Sequence, residues 1–115
     1  MRIVFLPLPE GDVIAREDQL GRLEADFIVA AAGQVFYRHP HDRSLWFAAP
    51  DSDTFRRTAE VWNRYADEAQ QGRREEAGAD AVNRLRQELL RLGVLENGPN
   101  QLWPALLEQA EDGLL

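Results

Sequence analysis

Apolar residues fall in short strand-length runs through the first half of the chain and at helical spacing through the second. Ile3 to Leu8 reads as a first strand, and Pro9-Glu10-Gly11-Asp12 is turn chemistry. Val13 to Arg16 reads either as a second short strand or as the start of a polar connection through Leu23. Phe27 to Ala32 is the next strand, and Gly33-Gln34 suits a two-residue hairpin turn into Val35–Arg38. His39 to Arg43 is a further turn, and Leu45 to Ala49 returns as the third strand of a meander, stopped by Pro50.

The stretch Asp42 to Tyr65 joins the two halves of the chain, because a strand there runs directly into a long amphipathic helix. Asp51, Ser52 and Asp53 offer N-cap side chains. Phe55, Ala59, Trp62, Tyr65, Ala66 and Ala69 then share one face of a helix running from about Thr54 to Gln71. The polar segment from Gln70 to Gly78 reads as a linker or a frayed helix end. A second helix spans roughly Asp80 to Leu92, with Val82, Leu85, Leu89 and Leu92 on one face and Gly93 placed for a left-handed cap. Arg84 and Glu88 have the spacing of an i,i+4 pair. Asn97 to Asn100 breaks the chain, and a last helix runs from Trp103-Pro104 to Glu111, with Leu106, Leu107 and Ala110 inward. Strands precede helices, so the expected class is α+β: an antiparallel meander backed by a long helix, followed by two C-terminal helices. The 115 residues form one domain, strand-rich over 1–50 and helical over 51–115.

Charge and composition narrow the chemistry. The net charge is -7 and the pI is near 4.8. Binding to phosphate backbones needs a basic face, so nucleic acid and anionic membrane are disfavoured as partners and a basic protein is favoured. All 13 basic residues are Arg, which removes a Schiff-base or phosphate-loop lysine. There is no Cys, so thiolate metal sites and cysteine nucleophiles are excluded, and a reducing cytoplasm is the expected location. The N-terminal apolar run ends at Pro7 and Pro9, too short for a signal peptide or a membrane span. Ser44 and Ser52 are the only serines and neither sits in a nucleophile elbow, and the eight glycines form no phosphate loop.

The remaining candidates are surface groups. His39 and His41, with Asp42, are weak metal candidates on a turn, because no distant ligand completes a set. Glu10, Asp12, Glu17 and Asp18 form an acidic cluster that reads as a solvated face. Trp46 and Trp62 read as core, whereas Trp103 has the position of a partner anchor. Glu108, Glu111 and Asp112 gather where carboxylates oppose the helix dipole, which suggests docking of a basic partner. The expected partner-binding residues are therefore Trp103, Glu108, Glu111, Asp112, Glu10 and Asp12, with no catalytic residues and no cofactor. A sheet edge near the N-terminus is also a place where a second copy would pair, making a homodimer.

Three segments in this order carry a family resemblance. They are the strand Asp42-Arg43-Ser44-Leu45-Trp46-Phe47, the helix containing Phe55, Ala59, Trp62 and Tyr65, and a C-terminal module. That module runs from Leu85-Arg86-Gln87-Glu88-Leu89 through Leu102-Trp103-Pro104 to Glu111-Asp112-Gly113-Leu114-Leu115. From near Phe27 to its end the chain resembles the SUKH (Smi/Knr-like) superfamily of immunity proteins, in its fourth, actinobacteria-rich group, shortened at the N-terminus. The resemblance implies an α+β fold and a non-catalytic role: neutralising a cognate bacterial toxin, of the nuclease or deaminase class, by direct contact. An accessory or scaffold protein of a biosynthetic cluster, holding a peptide or small substrate, is the other reading.

Overall fold

The computed structural model describes residues 2–18, 25–70, 74–96 and 98–111, with backbone alone for 70 and 74–79. Five strands, β1 (Arg2–Glu10), β2 (Val13–Asp18), β3 (Asp26–Val29), β4 (Val35–Arg38) and β5 (Leu45–Ala49), form an antiparallel sheet in chain order. Three helices come after them: α1 (Ser52–Gln70), α2 (Arg74–Leu92) and α3 (Leu102–Glu111). The expected α+β meander with C-terminal helices is what the chain forms.

Strand alternation separates two faces. Phe5, Ala15, Phe27, Tyr37 and Trp46 are register partners in one row across all five strands, and this row faces the helices. Phe55, in the first turns of α1, packs on it, with ring centroids 5.6 Å from Phe5 and 4.9 Å from Phe27. Ala15 lies between those two strand aromatics, so its small side chain leaves room for the incoming ring. Further along α1, Ala59 and Trp62 are buried, and Trp62 meets Trp103 of α3 at 5.8 Å. Leu85 and Leu89 of α2 and Leu107 and Ala110 of α3 close the same core.

Several boundaries differ from the sequence reading. β2 is a strand along its whole length, paired on both sides, and not a polar connection. β3 ends at Val29, not Ala32, because the Ala30 N–H donates to Gln34 O (2.8 Å) and the Gly33 N–H to Ala30 O (2.9 Å), closing the turn early. Gly33 adopts φ 93°, a conformation easy for glycine alone. α2 begins at Arg74, so residues 74–78 of the polar stretch, read as a linker or a frayed helix end, are helix. Its Glu75, Glu76 and Ala77 are good helix formers without a hydrophobic pattern to announce them. Arg84 bonds Glu68 of α1 at 2.9 Å rather than Glu88, which instead faces Arg91. Of the three candidate caps of α1, Asp51 serves: its Oδ1 accepts the Thr54 N–H at 2.7 Å. Gly93 (φ 74°) ends α2 as its position suggested.

Trp103 is fully buried and its Nε1–H donates to Ala48 O at 2.8 Å, tying α3 to β5. Trp103→Phe is expected to lose about 1–3 kcal/mol, chiefly from the stranded buried carbonyl. Trp103→Ala is expected to lose about 3–5 kcal/mol, through the cavity as well. Urea denaturation of the two variants checks both the sizes and their order.

Candidate interaction surfaces

The acidic groups singled out in the sequence do not meet. Glu10 and Asp12 sit at the β1–β2 hairpin, on one edge of the sheet, whereas α3 packs on β5 at the other. Glu10 is engaged by Arg16 at 2.5 Å, and Glu111 by Arg86 of α2. Asp12 and Glu108 are exposed and have no ion-pair partner among the described residues. Asp112 lies outside the described residues. Trp103 is withdrawn as a partner anchor: a ring with no exposed surface cannot touch another protein. Its apolar bulk and its hydrogen bond are both used by the core.

His39 and His41 lie on the β4–β5 turn. His39 Nδ1 accepts the His41 N–H at 3.2 Å and stands 3.5 Å from Asp42 Oδ1. Asp42 in turn accepts both the N–H and the hydroxyl of Ser44, which hold its carboxyl below the usual range. No group of three or more metal-ligating side chains occurs among the described residues.

Glu17 departs most from its sequence reading. The pattern of neighbouring acids puts it on a solvated face, yet it sits on the helix-facing side of β2 and is only 7% exposed. Burial pushes its carboxyl up, and a hydrogen bond from Tyr37 and the nearby His39 oppose that shift. Tyr37 is pushed up to about 12, by burial first and by Glu17 second. Alternation from Ala15 was the available signal, since two residues along β2 must return to the inner face.

Among the described residues no helix packs on the opposite side of the sheet. Val4, Arg16, Asp26, Arg38 and Leu45 are register partners in one row across it. Arg38 bonds Asp26 at 2.6 Å, and the Arg16 Nε–H reaches Asp26 at 3.3 Å while its other end holds Glu10. The next row holds Val13, Ile28, Phe36 and Phe47, with Phe36 edge-on to Phe47 at 5.8 Å. Ile28, Phe36 and Phe47 are half-buried and do not belong to the core cluster. Val4 and Leu45 are 47% and 44% exposed. The signal for this face was present in β4, where Phe36 and Arg38 alternate with Val35 and Tyr37.

Both sheet edges are occupied in part. At β1, the Asn63 side-chain amide accepts the Ile3 N–H and donates to Ile3 O, each at 2.8 Å, as a neighbouring strand would. Pro7 and Pro9 remove two more donors from β1. At β5, the Phe47 N–H donates to Asn100 O at 2.8 Å. Between α1 and α2 runs a shallow groove of about 120 Å³ lined by Val61, Tyr65, Arg84 and Leu85 among others. It is small beside the roughly 300–1,000 Å³ of usual small-molecule sites.

A carboxyl whose folded-state pKa is raised favours the folded chain most when protonated. The stability tied to Glu17 is therefore fully present below its ordinary value of 4.5 and is lost as pH rises through the raised value. Glu17→Gln, which carries no charge at any pH, is expected to gain in melting temperature relative to the parent on going from pH 4 to pH 8. Thermal unfolding followed by circular dichroism across that range checks it, and a constant difference between the two proteins would contradict the assignment. No protein-family model matches the chain, and none of the curated proteins or solved structures matches it either.

Proposed function

We propose that this chain is a non-catalytic binding protein of the immunity type, which neutralises a basic toxin domain by covering it. The observation that carries the reading is the surplus of free surface carboxylates. Asp12, Asp18, Asp53, Glu60, Asp80, Glu96 and Glu108 are exposed and have no ion-pair partner among the described residues. On the same criterion the exposed guanidiniums are Arg43, Arg57 and Arg64, with Arg56 lying 4.5 Å over the Phe5 ring. Enzymes that act on nucleic acid hold a polyanion in a basic cleft, and an acidic surface competes for that cleft. Long-range attraction between the two proteins would also speed their encounter. The resemblance of the strand-to-helix segment and of the C-terminal module to SUKH immunity proteins supports the same reading.

Because Asp12 and Glu108 stand at opposite edges, one partner footprint is expected to use one of them and not both. With a basic nuclease or deaminase toxin domain as titrant, Asp12→Arg or Glu108→Arg is expected to weaken binding about tenfold, or about 1.4 kcal/mol. The affinity of the parent should fall with added salt, as exposed charges are screened. Isothermal titration at two ionic strengths measures both effects. No binding, or salt-independent binding that neither substitution changes, overturns the reading.

A further inference from the structure

We propose that the open face of the sheet packs against the same face of a second copy. The face has an apolar row, Val13, Ile28, Phe36 and Phe47, beside the ionic row of Arg16, Asp26 and Arg38. Val4 and Leu45 extend it to both edge strands as exposed apolar ends. Among the described residues no helix packs on it: the helical contacts of the sheet come from α1 and α3, whose buried residues belong to the core on the other side.

Charge selects the occupant. The ionic row and its neighbour Glu10 contain two acids and two bases, joined by three ion pairs. With Glu10 the row is neutral, and the register partners Arg2 and Asp18 on the same face add one base and one acid, on a chain of net charge -7. A basic partner is drawn to free carboxylates such as Asp12 and Glu108, whereas two acidic copies meet here with the least repulsion. Edge pairing is the weaker route to a dimer, since Asn63 already occupies the Ile3 position of β1 and Asn100 that of Phe47 on β5.

Size sets the strength. Five strands about 4.8 Å apart and about five residues long at about 3.3 Å each give roughly 400 Å² in projection per copy. Side-chain relief enlarges this, which places the paired faces near the lower bound of about 1,200 Å² for a specific interface. The dimer is accordingly concentration-dependent, and it leaves Asp12 and Glu108 free for another protein.

The full chain is followed by light scattering and sedimentation equilibrium from about 1 μM to about 500 μM. The mass should rise from 13.1 kDa towards twice that value. Phe36→Asp and Phe47→Asp, each confirmed folded by circular dichroism, should remain monomeric, while Leu90→Asp on the exposed side of α2 should dimerise as the parent does. In the unsubstituted chain, amide chemical shifts should move on dilution at Ile28, Phe36, Arg38 and Phe47 and stay fixed at Leu90. A monomer throughout, dilution shifts confined to the helices, or a dimer that survives both Phe substitutions overturns the proposal. None of these outcomes depends on the toxin-binding reading.

Discussion

The seating of Phe55 on the inner row of the sheet is the contact on which the architecture depends. The ring lies against Phe5 and Phe27, strand aromatics separated in the row by Ala15. A larger residue at position 15 would lift the ring, and with it the first turns of α1. That helix is also fastened at its start by Asp51 and further along by Asn63 on Ile3. α2 and α3 then build on α1 through Leu85, Leu89 and the Trp62–Trp103 contact. Each aromatic buries on the order of 150–250 Å², which is how so small a domain assembles a core without disulfides.

The same layering leaves the two faces of the sheet with opposite characters. The inner face is dry and aromatic, and it forces one carboxyl, Glu17, into a buried hydrogen bond with Tyr37. On the outer face carboxylates and guanidiniums pair with one another, and Asp26 is held between Arg16 and Arg38. Such partly exposed pairs add little to stability because water screens them. Their consequence is local neutrality, on a surface otherwise dominated by free acids.

Much of the fold was legible because it follows from local chemistry. β4, β5 and the body of α1 lie where periodicity and turn residues put them, and Gly93 caps α2 as its place in the pattern suggested. Where the reading was wrong or left open, the local pattern was weak or the contact long-range. The first turns of α2 carry charged residues and no apolar stripe, so their helicity was invisible to a reading based on periodicity. β2 is interrupted by a bulge between Val13 and Ala15, which breaks the alternation that would have marked it. Trp103 looked accessible because it opens a helix after a break in the chain, and only the approach of α3 to β5 buries it.

By itself the sequence determined what needs a few neighbouring residues: the α+β order, the amphipathic face of α1, the acidic surplus, and the absence of thiol and lysine chemistry. Tertiary structure decided everything that depends on residues far apart in the chain. It put Glu17 beside Tyr37, Arg16 and Arg38 around Asp26, Asn63 against the edge at Ile3, and Asp12 and Glu108 at opposite edges of the sheet. The physical reason is that local propensity is set by side chains within a turn or two of one another, while burial and charge pairing are set by which strands become neighbours.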